Sequence, residues 1–216
     1  MSIKAAIVPV TPFQQNCTLL FDESTKKGVV IDPGGDLPQI EAAVAELGVN
    51  IESIVLTHGH IDHAGGAEGL KAKLKVEIVG PHIADKFLLQ GLEAQARSFG
   101  LPPGAVRNVT PDRWLSEGEV IGMAGVDWDV LHCPGHSPGS VVYVNKSVGL
   151  AIVGDVLFQG SIGRTDFPYG DHEALLESIR TKLFPLGDEI VFICGHGPAG
   201  SIGEERQHNP FVGERS

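Results

Sequence analysis

Apolar and polar positions divide the chain into two similar runs of strands and helices. Ile3 to Val10 reads as a first strand. Cys17 to Phe21 and Lys27 to Ile31, separated by polar Asp22-Glu23-Ser24-Thr25, read as a hairpin behind it. Asp32-Pro33-Gly34-Gly35-Asp36 then breaks the pairing. Leu37, Ile40, Val44 and Leu47 follow helical spacing, and Gly48 is placed to stop that helix. Ile54-Val55-Leu56 is continuous, apolar and partly β-branched, as expected of a strand buried on both faces in a parallel sheet. Ala64-Gly65-Gly66 opens a helical stretch to about Lys73.

Val76 to Val79 predicts another strand. His82 to about Phe99 predicts a helix whose limits are blurred by Gly91 and Gly100-Leu101-Pro102-Pro103-Gly104, and this middle segment is placed to serve as a lid. A second β-rich block covers Val120 to Val153, with strands at Trp128 to Leu131, Ser140 to Val144 and Leu150 to Val153 around a Gly-Pro loop at 134–139. His172 to Leu183 reads as helix and Ile190 to Ile193 as a last buried strand. The second half echoes the first, a pattern that fits two stacked sheets with helices outside. A length of 216 residues suits one domain over 1–216.

Charge narrows the partners. Sixteen Lys and Arg stand against 27 Asp and Glu, and the net charge of −11 disfavours nucleic acid and other polyanions. No apolar run reaches the roughly 18 residues of a membrane span, and the first strand, interrupted by Pro9, does not read as a signal peptide. Three well-separated cysteines, Cys17, Cys133 and Cys194, suit reduced, buried thiols in a cytoplasmic protein. Nothing calls for an obligate protein partner.

The candidate chemistry sits where strands end. Thr57-His58-Gly59-His60-Ile61-Asp62-His63 places three histidines and a carboxylate within six residues. Imidazole nitrogens and carboxylate oxygens are ligands that zinc, iron and manganese accept, and such a run projects several of them from one loop. Later strands end in Cys133-Pro134-Gly135-His136-Ser137-Pro138-Gly139, in Gly154-Asp155 and in Cys194-Gly195-His196-Gly197. One histidine after a strand is more often a hydrogen-bonded core residue than a ligand. Four clusters at four strand ends point instead to a metal site, zinc first, with iron or manganese also suited.

T-H-x-H-x-D-H-x-G-G, G-H-S-P-G-S, G-D-x-L-F and C-G-H-G, in this order, resemble the metallo-β-lactamase superfamily, and the resemblance covers most of the chain. It implies an α/β, four-layer αβ/βα sandwich with a centre of two divalent metal ions at one edge. His58, His60 and His136 would hold one ion, Asp62, His63 and His196 the other, and Asp155 would bridge them. Asp155-Val156-Leu157-Phe158 looks like the glyoxalase II branch, and Arg164 falls where long members carry a lysine that contacts glutathione. Those members continue into a helical glutathione-binding domain. This chain ends twenty residues after His196, and its tail, Ile202-Gly203-Glu204-Glu205-Arg206 and Asn209-Pro210-Phe211, is similar to short bacterial glyoxalase II-like hydrolases.

The implied reaction is hydrolysis of a small-molecule thioester of the S-lactoylglutathione type, with a water acidified by two metal ions as nucleophile. Asp62 and His63 join the catalytic group, Asp62 orienting that water, and Arg164 binds substrate. The rivals are an iron-dependent persulfide dioxygenase using His58, His136 and Asp155, suggested by Gly163-Arg164-Thr165-Asp166-Phe167, and a lactone or phosphodiester hydrolase. A purely structural metal is disfavoured because structural zinc sites are closed and thiolate-rich. Among the remaining residues, Asp32 either braces a ligand histidine or forms a turn before Pro33. Asn16 caps a turn or lines the site edge, Tyr169 is a minor candidate, and His82, His132, His172 and His208 read as structural or exposed.

Overall fold

The computed structural model describes residues 2–214. The first half contains β1 (Ile3–Val10), β2 (Gln15–Asp22), β3 (Lys27–Ile31), α1 (Leu37–Leu47), β4 (Asn50–Val55), α2 (Ile61–Ala64), α3 (Ala67–Leu74), β5 (Glu77–His82), α4 (Lys86–Leu89), α5 (Leu92–Ser98) and β6 (Arg113–Leu115). The second contains β7 (Val120–Met123), β8 (Val126–His132), β9 (Val141–Asn145), β10 (Leu150–Gly154), β11 (Leu157–Phe158), β12 (Ser161–Ile162), α6 (His172–Ser178), β13 (Val191–Cys194), β14 (Gly200–Ser201) and α7 (Ile202–His208). Strands pair as β1-β2-β3-β4-β5-β6 in one sheet and β14-β13-β10-β9-β8-β7 in the other. Both sheets mix parallel and antiparallel pairs.

Period-two alternation places the core. In β9, Val141 and Tyr143 face one cluster and Val142 and Val144 another. In β3, Val29 and Ile31 face the cluster that also holds Trp128 and Tyr143, whereas Val30 faces the helices. Side chains of β3, β4, β8, β9 and β10 thus fill the space between the sheets, and two outer clusters lie under the helices. This is the expected four-layer α/β sandwich.

The structure revises several elements. Asp62 and His63 lie on the helical turn α2, not in an open loop. The helix expected from His82 to Phe99 is broken. It begins as a 3₁₀ turn at Ile83–Asp85, where His82 Nδ1 accepts from Ala84 N–H, and it breaks again around Gly91 before α5. Leu89, Leu92 and Ala96 anchor this middle segment in the first core. The helix expected from His172 to Leu183 is α only to Ser178 and continues as a wider turn. The short strands β6, β11, β12 and β14, and helix α7, had no counterpart in the sequence reading.

Candidate metal centre

Strand register brings the histidine run and its partners together. β3 and β4 run parallel with Ile31 opposite Val55, so Asp32 and Thr57-His58 leave the sheet side by side. Asp32 carries a left-handed φ of 51°, tolerable for Asp, and turns its carboxylate onto Thr57. It accepts from Thr57 N–H at 2.7 Å and from Thr57 Oγ1 at 2.5 Å. In the other sheet β10 and β13 run parallel with Gly154 opposite Cys194, so Asp155 and Gly195-His196 emerge together. Gly195 is required there: a Cβ would lie 2.0 Å from Asp155 Oδ1 and 2.5 Å from His63 Cε1.

His58, His60 and His136 form one compact set. His60 Nδ1 lies 3.0 Å from His58 Nε2 and 2.9 Å from His136 Nε2. The outer nitrogens fix most of the tautomers. His136 Nδ1 donates to the Arg164 carbonyl at 2.8 Å, which can only accept. Thr57 spends its proton on Asp32 and therefore accepts from His58 Nδ1 at 3.0 Å. The inward Nε2 atoms of His58 and His136 are therefore bare. Burial, reinforced by the neighbouring imidazoles, holds His58 well below the usual histidine range and His60 down to about 3, and burial also lowers His136. Neutral imidazoles converging on one point are what a cation needs.

Asp62, His63 and His196 form the second set. His196 Nε2 is 3.2 Å from Asp62 Oδ2, and His63 Nε2 is 3.8 Å from the same oxygen. Asp155 faces both sets: Oδ2 is 3.5 Å from His136 Nε2 and 3.5 Å from His196 Nε2, and Oδ1 is 3.3 Å from His63 Nε2. His63 Nε2 and Asp155 Oδ1 are buried without a hydrogen-bond partner. Such orphans are rare and costly, and they fit donors whose partner is a metal ion. His63 Nδ1 is 2.9 Å from Asp32 Oδ2, so Asp32 turns the chain before Pro33 with its left-handed backbone and braces a histidine with its carboxylate. His196 Nδ1 donates to the Phe13 carbonyl at 3.2 Å. Burial opposes protonation of His63, yet Asp155 and Asp62 raise it well above its ordinary value. Burial likewise opposes ionisation of Asp155 and Asp62, but the histidines facing them, His63 foremost, hold both below the carboxylate range. The field there attracts positive charge.

Asp85, absent from the sequence reading, ties two of the donor loops together. Fully buried, it accepts from Gly59 N–H at 2.8 Å, Gly139 N–H at 2.6 Å and Ser137 Oγ at 2.7 Å. Asn16 does similar work for the 194–197 turn, donating through Nδ2 to the carbonyls of Cys194 and Gly197 at 3.0 and 2.8 Å. Burial pushes the Cys133 thiol up to about 12 and the Cys194 thiol up to about 11, so both read as packing residues. His82 and His132 stack on each other with ring centroids 4.0 Å apart, outside the donor sets.

A cavity of about 540 Å³ opens beside the two sets. Asp62, His136, Asp155 and His196 line its floor, and Phe13, Phe99, Phe158, Phe167 and Tyr169 contribute aromatic wall. Arg164 lines the cavity, where its guanidinium grips Asp166 through two 2.7 Å bonds and lies over the Phe167 ring at 4.5 Å. Tyr169 reaches deeper than expected: its hydroxyl is 2.8 Å from His60 Nε2. Burial pushes this phenol up to about 12.

Known proteins resemble this chain in sequence and in fold. Hydroxyacylglutathione hydrolase GloC of Haemophilus influenzae is 48% identical over 211 residues, covering 97% of this chain and 98% of its own. The crystal structure of BLEG-1 B3 metallo-beta-lactamase superposes with a TM-score of 0.87 at 34% identity, covering 98% of this chain and 99% of the other. TTHA1623, solved in a di-iron-bound form, gives a TM-score of 0.84 at 36% identity over 96% of this chain and all of its own. The sequence pattern of the superfamily itself spans residues 10–196, from the last residue of β1 to the last histidine of the site. On fold, sequence pattern and donor chemistry together, the chain belongs to the metallo-beta-lactamase superfamily.

Proposed function

We propose that this metallo-hydrolase cleaves a thioester of the S-lactoylglutathione type to a hydroxy acid and a thiol. The observation that carries the reading is a pair of donor sets sharing Asp155 on the floor of a cavity, in a chain nearly half identical to a hydroxyacylglutathione hydrolase. His58, His60 and His136 would hold one divalent ion and Asp62, His63 and His196 the other, with Asp155 between them. Ions so held would supply Lewis acidity, lowering the pKa of a water and polarising the substrate carbonyl.

The chain's own residues do the rest. Asp62 keeps its carboxylate ionised at the cavity floor and accepts a proton-side hydrogen bond from the attacking water, turning a lone pair toward the carbonyl carbon. Asp32 holds His63 with its Nδ1 protonated, so Nε2 faces the site. The aromatic wall excludes bulk water from the scissile bond, and Arg164 at the rim faces the polar end of the substrate. No cysteine is activated as a nucleophile. The complete second set favours hydrolysis over a two-histidine, one-carboxylate oxygenase site.

The test is thiol release from S-lactoylglutathione by metal-reconstituted protein. Metal-dependent release is expected, with His60→Ala reducing it by about 100-fold or more, since even outer partners of metal ligands cost 10 to 100-fold. Full activity in His60→Ala would contradict the two-ion reading. Absence of release by protein shown to carry metal, with oxygen uptake on glutathione persulfide, would transfer the site to the dioxygenase reading.

A further inference from the structure

Each of the five site histidines leans its outer nitrogen on an oxygen, and counting the protons on those oxygens singles out one of them. The carbonyls of Arg164 and Phe13 carry none. Asp32 is a carboxylate holding His63, and Thr57 has already given its proton to Asp32. The fifth oxygen is the Tyr169 hydroxyl, 2.8 Å from His60 Nε2. With His60 Nδ1 turned inward as a metal donor, the ring proton must sit on Nε2, and the Tyr169 oxygen accepts it. The Tyr169 O–H is then left to give, and among the described residues no other acceptor engages it.

Tyr169 also lines the cavity, together with His136 of the first set and Asp155, which faces both sets. Its ring is held in place: it stacks on Phe167 with an interplanar angle of 10° and centroids 5.3 Å apart, and it meets the Phe87 ring edge-on at 5.3 Å. A hydroxyl fixed at the wall of a substrate cavity, its lone pair spent on a ligand histidine and its proton unspent, is oriented as a donor. We propose that Tyr169 is a catalytic residue that donates a hydrogen bond to the acyl oxygen of the substrate, in its carbonyl form and more strongly as negative charge develops there. The proposal rests on the acyl-hydrolase reading above. It also makes segment 164–169 a double support, since the Arg164 carbonyl holds His136 and Tyr169 holds His60.

The test compares wild type with Tyr169→Phe, both loaded with metal until the measured content is equal. Removing one oriented donor to a developing oxyanion is expected to lower kcat on S-lactoylglutathione by about 100-fold while KM moves less than about threefold. A loss that excess metal fully restores would reduce Tyr169 to a brace of His60 and overturn the proposal, as would an unchanged kcat. D-lactate, the carboxylate product, supplies an arm independent of turnover. Calorimetry should show Tyr169→Phe binding it about tenfold or more weakly than wild type at equal metal content. Equal D-lactate affinity in the two proteins overturns the donor role. If metal-loaded wild type releases no thiol, the thioester reading fails by itself and the lactate comparison still decides Tyr169.

Discussion

Space for one methyl group decides whether the carboxylate shared by the two sets can take its place. Gly195 leaves room for Asp155 Oδ1 and for the edge of His63, and its backbone carbonyl accepts from Asn16 N–H at 2.7 Å. Gly195→Ala should therefore fold, with a circular dichroism spectrum like wild type, yet bind fewer metal ions per chain because Asp155 or His63 must swing away. Wild-type metal stoichiometry in that variant would refute the packing argument. Residues of this kind were only half legible in the sequence. The histidines and aspartates announced themselves by density and by their place at strand ends. Asp85 did not, because one aspartate inside a helix-like run carries no pattern until the fold turns it toward Gly59 and Gly139. Tyr169 carries as little local signal, because its partner, His60, lies 109 residues away.

Elements were read best where both faces of a strand are buried, since continuous β-branched runs such as Val29-Val30-Ile31 and Val141-Val142 admit few other structures. They were read worst where a tertiary tie overrides local preference. The stretch His82 to Phe99 is helix-like in composition, but the inward turn of Asp85 and the break at Gly91 divide it. Strand β6 is three residues long and shows no period of its own; it is held beside β5 by Asp112, whose N–H donates to the Ile78 carbonyl and whose carboxylate accepts from Ile78 N–H at 2.8 Å. Lys71 also donates to that carboxylate, and these bonds lower its pKa. A carboxylate with a depressed folded-state pKa adds stability above its unfolded pKa of about 3.9 and loses it as pH falls through the folded value. Asp112→Asn should thus unfold at a lower temperature than wild type at pH 7, and the gap should close progressively below about pH 4. A gap that persists unchanged in acid would assign the effect to packing instead.

At the scale of the molecule, three hydrophobic clusters that contain none of the site histidines or aspartates hold the layers together, so the sandwich is expected to form without metal. Chelation is expected to leave a folded, inactive protein. It should also lower the denaturation midpoint, because an ion that binds only the native state at 1,000 times its Kd adds about 4 kcal/mol. Unfolding on chelation, followed by far-ultraviolet circular dichroism, would instead make the metal structural. No helix among the described residues is long and apolar enough to cross a membrane.

Neither of the two donor sets at the cavity comes from one sheet alone: His58, His60, Asp62 and His63 follow β4, whereas His136, Asp155 and His196 follow β8, β10 and β13. An ion bound with full coordination is thus a record that the two halves have met in register. Metal uptake at these two sets is then expected late on the folding pathway, and the metal content of a sample should count the molecules in which the halves have docked.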